Sequence, residues 1–265
     1  MPAPDLPPPP PVLSVDRPVG VVLHPRLAEP ERFAGSITVM IDNLRASATI
    51  AAALSAGAAR VFPCLTVDEV RAKAAALEAG GVARDQIVLG GERGGALIEG
   101  FDLDNSPAKY TPQRVRGKSV VFTTTNGTAA LLHAARAAEV LVGSIANASA
   151  IAEAIAADPR PVWLLCAGTR DEVTLDDCLA AGVIAEALIA RGRGLAADDS
   201  VRLCLGAYRE AMARPDGLHQ AMRDTRGGRN LLRLEMDADV RHCSMPDVSP
   251  VVPRFDAAAG SITLH

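Results

Sequence analysis

The sequence predicts an α/β protein made of two similar α/β/α units with parallel sheets, and a functional site in the cleft between them at the carboxyl ends of the strands. Apolar, strand-like runs alternate with helical segments of about 10–15 residues, which is typical of βαβ units and a parallel sheet. Hydrophobic residues make up 49% of the chain but aromatic residues only 3%. The core must therefore consist mainly of Ala, Val, Leu and Ile, which suits helices packed on β-branched strands.

The pattern predicts the following elements in chain order. Strands are predicted over 36–41, 59–64, 86–91, 118–124, 139–144 and 161–168, and helices over 48–57, 67–79, 128–137, 147–157 and 176–191. The C-terminal part has a different pattern. It predicts helices near 198–213, 217–225 and 228–234, then short strands near 238–243, 250–254 and 261–264.

The chain also resembles itself after a shift of about 79 residues. "MIDNLRASATIAAALSAGAARVFPC" then lies over "VFTTTNGTAALLHAARAAEVLVGSI", and both predict a strand, a polar turn, a helix of small residues and the next strand. A duplication predicts a first half over 18–115 and a second half over 116–265, with their polar turns facing one cleft. The common βαβ pattern explains the same likeness, so both interpretations stay open. Residues 1–17 are predicted to be a disordered, proline-rich leader.

Composition excludes several classes of protein. The net charge is −4, with no basic stripe and few aromatic residues, which argues against a nucleic-acid partner. No apolar run approaches the roughly 20 residues that span a bilayer, and the N-terminus lacks a signal-peptide pattern. The five cysteines include no CxxC pair and the five histidines are scattered, so a zinc site is not predicted. We expect a cytoplasmic protein with reduced thiols and no membrane contact.

Two polar clusters contain acidic residues that follow apolar runs. "IDNLRASAT" (41–49) places Asp42 at a strand end, with Arg45, Ser47 and Thr49 next to it. A carboxylate there is a common Mg²⁺ ligand and arginine can grip an anionic oxygen, although a turn Asp paired with Arg explains the same pattern. "GGERGGALIEGFDLDNSP" (90–107) is too long and too charged for a simple connection. It contains Glu92, Arg93, Asn105 and Ser106, and it matches neither GxGxxG nor the Walker pattern.

Two further clusters combine hydroxyl groups with a strand end. "TTTNGT" (123–128) contains Thr124, Thr125, Asn126, Gly127 and Thr128 before a helix. Backbone N–H groups and hydroxyls at such a junction can bind an anion, while an Asn-Gly turn is the alternative. In "CAGTRDEVTLDDCLAAG" (166–182), Thr169 follows a strand and Asp177 opens a helix. Asp177 is a candidate metal ligand, although it can simply complement the helix dipole.

These motifs, in this order, resemble those of the 2-phosphosulfolactate phosphatase family. The resemblance runs from about residue 20 to the C-terminus and is carried by "IDNLRASAT", "GGERGG", "EGFDLDNSP", "TTTNGTAAL", "GSIANASA", "CAGT" and "DVSPVVP". It implies a Mg²⁺-dependent phosphatase that converts (R)-2-phospho-3-sulfolactate to 3-sulfolactate, a step of coenzyme M synthesis in archaea, on an α/β fold with two related halves. The sequence departs from the family pattern at Asn43, Ala48, Ala180 and Gly227, which puts the substrate in question more than the fold.

The resemblance also implies roles for the clusters. The threonine-rich turn and the following helix would hold the phosphate, Asp42 and Glu92 would hold Mg²⁺ with Asp177 as a further candidate, and Arg45 and Arg93 would bind the acid groups or stabilise the transferring phosphoryl group. The nucleophile stays open between water and a carboxylate, since the DxDx[TV] pattern of aspartyl-phosphate enzymes is absent. Two rivals remain: a Mg²⁺ phosphatase for another small phosphorylated acid, and a non-catalytic protein that binds a phosphorylated metabolite. A homodimer is compatible with the pattern.

Overall fold

The computed structural model describes residues 16–196 and 198–264, and within them the predicted α/β class is confirmed. Most of the predicted leader therefore lies outside the described residues. The strands are β1 (Pro18–Val22), β2 (Ile37–Ile41), β3 (Arg60–Cys64), β4 (Ile87–Arg93), β5 (Ala96–Leu97), β6 (Ser119–Thr123), β7 (Glu139–Gly143), β8 (Val162–Cys166), β9 (Gly194–Leu195), β10 (Arg254–Asp256) and β11 (Ser261–Thr263). The helices are α1 (Ala46–Ser55), α2 (Val67–Ala79), α3 (Pro112–Val115), α4 (Gly127–His133), α5 (Ala148–Ile155), α6 (Leu175–Ile189), α7 (Asp199–Met212), α8 (Gly217–Asp224), α9 (Arg226–Arg233) and α10 (Asp237–Ser244).

The strands of the two predicted halves interleave in one mostly parallel sheet. Across the described residues its order is β5-β4-β6-β3-β11-β10-β7-β2-β8-β1-β9, and the β10–β11 hairpin joins two parallel groups by antiparallel pairing. Strand β6 lies between β4 and β3, just as β2 lies between β8 and β7. With the offset of about 79 residues, β2, β3 and β4 correspond to β6, β7 and β8. The order β4-β6-β3 on one side of the sheet then matches the order β8-β2-β7 on the other side. The duplication itself stays a prediction. The two predicted halves, 18–115 and 116–265, contribute strands to one sheet.

Helices cover both faces of the sheet. One face packs on α1 and α4, where Ile50 and Leu131 join Met40, Val120 and Phe122 in one apolar cluster. On the other face, α5, α6 and α7 cover the group that contains β2 and β8, and α2 covers the group that contains β4 and β6. The five cysteines are buried and none of them is paired with another. None of the helices in the described residues is both long enough and apolar enough to cross a membrane.

The structure differs from the predicted elements near both ends of the described residues. The strand predicted over 238–243 is wrong, because these residues form helix α10. Asp237 in its first turn and Arg241 in its last turn both interact favourably with the helix dipole, and Val240 and Cys243, three residues apart, are buried on one face. Strand β1 was not predicted, although it pairs with β8 along four residues.

Candidate active site

A cavity of about 450 Å³ lies where the loops after β2, β4, β6 and β8 meet helix α9. Parallel strands present their carboxyl-terminal loops at ligand sites, because those loops carry the helix starts and free backbone donors. Eight of the fifteen predicted site residues line the cavity. The lining consists of Asp42, Leu44, Arg45, Glu92, Gly94, Gly95, Asn105, Thr124, Thr125, Asn126, Thr169, Arg170, Arg226, Gly227, Asn230, Leu231 and Arg233.

Asp42 lies directly after β2 and is almost fully buried. The nearby backbone N–H groups of Ala46 and Gly127 lower the pKa of its carboxyl group. Burial, together with the negative charges of Asp176 and Glu92, nevertheless raises the pKa of Asp42 to about 7. A carboxyl group with this pKa is partly protonated at neutral pH unless a cation binds next to it. Ser47 does not line the cavity, since its hydroxyl accepts a hydrogen bond from the Asp42 N–H at 2.9 Å.

Glu92 ties two of the cavity loops together. Its Oε2 accepts the Gly95 N–H at 2.6 Å, and its Oε1 accepts the N–H and hydroxyl of Thr125 at 3.1 and 2.9 Å. Arg93 follows it in β4, and consecutive strand residues point to opposite faces. The Arg93 guanidinium accordingly donates to Thr123 Oγ1 and to a backbone carbonyl, both at 3.0 Å, and does not line the cavity.

Two buried polar side chains face the cavity without a partner. Asn105 and Thr124 are each at least 95% buried, and neither Asn105 Oδ1 nor Thr124 Oγ1 has a hydrogen-bond partner among the described residues. Leaving such atoms unpaired costs about 1–3 kcal/mol each. Asn105 and Thr124 are therefore suited to bind a ligand. Asn126 lies on the same wall of the cavity, and its Oδ1 accepts a hydrogen bond from the Arg170 N–H at 3.0 Å.

Arg45 enters the cavity as part of a buried ion pair. Its guanidinium donates to Asp239 Oδ2 at 2.6 Å and to the Gly95 carbonyl at 3.0 Å. The other oxygen of Asp239 accepts the Ser106 hydroxyl at 2.6 Å. Ser106 therefore supports Arg45 from outside the lining and does not itself reach the cavity.

The remaining predicted residues divide into lining and support. Thr169 lines the cavity, and its backbone pairs with that of Glu172. Thr49 and Thr128 are buried outside the lining, where Thr49 Oγ1 donates to the Asn105 carbonyl at 3.1 Å. Gly127 lies so close to Asp42 that a Cβ atom would be 2.7 Å from Oδ2. This contact explains why the turn requires glycine.

The two acidic residues that open α6 differ in their surroundings. Asp177 Oδ1 accepts the Asn43 N–H at 2.8 Å, and its Oδ2 accepts the Gly168 N–H at 2.8 Å and the Thr174 hydroxyl at 3.1 Å. Asp177 thus joins two loops, and its predicted role as a metal ligand stays a prediction. Asp176 is buried with Oδ1 unpartnered among the described residues, and burial raises its pKa to about 6.

The sequence predictions missed the residues that α9 and the loop after β8 contribute. Arg170, Arg226, Asn230 and Arg233 line the cavity and are exposed at its mouth. A signal was present in "TRGGRN" (225–230), which combines two arginines, two glycines and two uncharged polar residues at the start of a helix. Nothing in the local sequence shows, however, that this segment packs against strand ends more than 50 residues away.

The donor set of the cavity suits Mg²⁺ shared with a ligand. Asp42 and Glu92 offer hard carboxylate oxygens. The raised pKa of Asp42 reflects its burial first and then the nearby negative charges of Asp176 and Glu92, which a cation would compensate. Mg²⁺ in proteins is commonly held by one or two carboxylates, water and phosphate oxygens. In residues 16–196 and 198–264, no group of three His, Cys, Asp or Glu side chains could hold a metal by itself. The residues fit a cation that also binds substrate oxygens.

Comparison with known proteins identifies the family. The family profile described as "2-phosphosulpholactate phosphatase" matches residues 22–258. The chain belongs to the 2-phosphosulfolactate phosphatase family. A protein of Symbiobacterium thermophilum named "Probable 2-phosphosulfolactate phosphatase" is 39% identical over 230 residues, which are 85% of this chain and 93% of that protein. Proteins with the same name are 37% identical in Caldanaerobacter subterraneus over 217 residues (82% and 86% of the two chains) and 37% identical in Deinococcus radiodurans over 239 residues (88% and 95%).

Asn43 and Gly227, two positions predicted to depart from the family pattern, lie in different surroundings. Asn43 is fully buried, and its amide accepts the Ile145 N–H at 3.0 Å and donates to the Cys243 carbonyl at 3.2 Å. It stabilises the fold behind the cavity. Gly227, in contrast, lines the cavity, and a Cβ atom there would lie 3.0 Å from Asp176 Oδ2. Ala48 and Ala180, the other two such positions, lie in the buried core.

Proposed function

We propose that this protein is a phosphatase that hydrolyses (R)-2-phospho-3-sulfolactate to 3-sulfolactate and phosphate, with Mg²⁺ bound in the cavity that contains Asp42. The observation that carries this proposal is the composition of that cavity. Buried carboxylates, unpartnered polar side chains and arginines face one space of about 450 Å³. The family membership supports a phosphate ester as substrate, and the names of the relatives support the sulfonated one.

The phosphoryl group of the substrate would bind at the buried end of the cavity. Thr124 Oγ1 can donate to a phosphate oxygen, and the side-chain amide of Asn105 can donate beside it. Arg45 carries a permanent positive charge at the same wall, and its bond to Asp239 holds the guanidinium in place. Fixed donors of this kind position the ester and stabilise the charge of the transferring group without rearrangement during the reaction.

The carboxylates provide the other half of the site. Asp42 and Glu92 would hold Mg²⁺, which when bound neutralises charge on the phosphoryl oxygens. Glu92 keeps the Gly95 loop and the Thr125 loop at a fixed separation through its three hydrogen bonds. In the reaction, one water adds its oxygen to phosphorus, the bond between phosphorus and the C2 oxygen breaks, and that oxygen takes a proton as the alcohol of 3-sulfolactate.

Release of phosphate from a panel of esters tests the function. 2-Phosphosulfolactate, 2-phospholactate and phosphoglycolate are compared with Mg²⁺ and with EDTA, using the wild type and the Asp42→Asn and Glu92→Gln variants. We expect Mg²⁺-dependent turnover of the sulfonated ester that both variants lose. Turnover of only an unsulfonated ester would show that the protein is a phosphatase for another small phosphorylated acid. Tight binding that ignores EDTA, without turnover of any ester, would refute the phosphatase and leave a phosphometabolite-binding protein.

A further inference from the structure

The cavity carries more positive charge than its own carboxylates compensate. Among the described residues, its charged lining consists of two carboxylates and four guanidinium groups. Arg45 is paired with Asp239, and Arg226 forms an ion pair with Glu172. In the part of the chain that the structure describes, no carboxylate lies within ion-pair distance of Arg170 or Arg233. These two cations therefore remain for an anion that enters the cavity.

Arg170 is held at the mouth by its backbone. Its N–H donates to Asn126 Oδ1 at 3.0 Å, and its carbonyl oxygen accepts from His24 Nε2 at 2.9 Å. The residue has a φ of 57°, in the left-handed region that non-glycine residues rarely adopt. The backbone is thus fixed beside the threonine-rich turn, while the exposed guanidinium stays free to contact a ligand.

Helix α9 brings Arg233 to the other side of the mouth. The N-terminal end of α9 is capped by Thr225 and joined to the loop after β8 by the ion pair between Arg226 and Glu172. Beyond its C-terminal end, Leu234 packs against Gly95, where an added Cβ atom would lie 2.6 Å from Leu234 Cδ1. Helix α9 therefore spans the mouth from the loop after β8 to the loop after β4. It carries Arg233 in its last turn.

We propose that Arg170 and Arg233 form a subsite at the cavity mouth that binds the non-reacting acid groups of the substrate. The subsite selects phosphorylated acids that carry a second strong acid, such as a sulfonate, over those that do not. This rests on the proposed function, because the phosphoryl group must occupy the buried end near Asp42 and Thr124. A guanidinium binds a carboxylate or sulfonate through two parallel N–H donors, which gives both affinity and orientation.

Selectivity between two esters tests the subsite. The kcat and KM values for 2-phosphosulfolactate and 2-phospholactate, which lacks the sulfonate, are measured for the wild type, Arg170→Gln and Arg233→Gln. Arg229→Gln is the matched control, because Arg229 lies on α9 but outside the cavity lining. We expect each test variant to lower kcat/KM for the sulfonated ester by about 10- to 100-fold, mainly through KM, as for a lost charged hydrogen bond. The change for 2-phospholactate should be several-fold smaller, and Arg229→Gln should match the wild type.

A binding experiment separates failure of the subsite from failure of the phosphatase. Isothermal titration with 3-sulfolactate needs no turnover, and we expect binding that weakens in both test variants but not in Arg229→Gln. Unchanged selectivity between the two esters, including an equal loss of kcat/KM for both, would overturn the proposed subsite. Unchanged affinity for 3-sulfolactate in both test variants would overturn it too. If the wild type hydrolyses neither ester, the proposed function fails, and the titration alone then decides the subsite.

Discussion

Replacing Asp42 is predicted to change how the stability of the metal-free protein depends on pH. Burial and the charges of Asp176 and Glu92 raise the pKa of Asp42 from 3.8 to about 7. The folded protein therefore holds a proton on Asp42 more tightly than the unfolded chain does. The stabilisation from this proton is fully present below the unfolded pKa of 3.8 and is lost as the pH rises through about 7.

The pKa values set the size of the effect. A rise of the pKa from 3.8 to about 7 corresponds to about 4 kcal/mol, since each pKa unit is worth about 1.4 kcal/mol. Between pH of about 4.5 and 6.5, the loss of this stabilisation lowers the free energy of unfolding by up to about 1.4 kcal/mol for each unit by which the pH rises. Asn cannot bind this proton, so Asp42→Asn should lose about 1 kcal/mol per pH unit of the slope.

Urea unfolding in EDTA at a series of pH values, followed by circular dichroism, measures this slope. The slope is more informative than the stability at one pH, because the constant effect of losing a carboxylate oxygen cancels. Asp68→Asn is the control, since the Asp68 side chain is 95% exposed, and its slope should equal that of the wild type. An Asp42→Asn protein with the wild-type slope would refute the account of Asp42 as a destabilised buried carboxylate.

Three further predictions concern the cavity and its support. Gly127→Ala places a methyl carbon 2.7 Å from Asp42 Oδ2 and 2.9 Å from Ala46 Cβ, and overpacking of this kind should destabilise the protein by about 1–3 kcal/mol in urea. Asp239→Asn leaves the buried charge of Arg45 without its partner at 2.6 Å, which should lower the free energy of unfolding by about 3–5 kcal/mol. Mg²⁺ should raise the thermal midpoint of the wild type but not of Asp42→Asn, because a ligand that binds only the folded state stabilises it.

Each of these predictions has a control or an opposing result. Gly206→Ala in α7 meets no atom within 4 Å and should stabilise the protein by about 1 kcal/mol, which contrasts with Gly127→Ala. Glu186→Gln breaks the exposed pair with Arg209 and should change the stability by less than about 1 kcal/mol. If Mg²⁺ raised the thermal midpoint of the wild type and of Asp42→Asn equally, the cation would bind at a site that does not include Asp42.

The part of the site that follows strand ends was predictable from the sequence. Asp42, Glu92 and Thr124 each come at or directly after the end of an apolar run, and the carboxyl ends of strands are where ligands bind in open α/β sheets. The structure brings these residues to one cavity. The strand order was not predictable, because the place of β6 between β4 and β3 depends on pairing between distant segments.

Two details of the site differ from what was expected from the sequence. Glu92 and Arg93 were assigned to one site, yet alternation along β4 directs their side chains to opposite faces. Arg233 was not considered, because it lies in a helix near the end of the chain and no strand precedes it. The packing of Leu234 against Gly95 and the ion pair at the start of α9 help to hold that helix at the cavity, and both join it to distant segments of the chain.

The central claim, hydrolysis of a phosphate ester in the cavity of Asp42, is tested most directly by a ³¹P NMR time course in ¹⁸O-labelled water. 2-Phosphosulfolactate and Mg²⁺ are incubated with the wild type or with Asp42→Asn, whose folding is checked by circular dichroism. We expect loss of the ester resonance and growth of ¹⁸O-labelled inorganic phosphate with the wild type, and an unchanged ester with the variant. Equal rates for the two proteins, or an ester that stays intact with the folded wild type, would contradict the central claim.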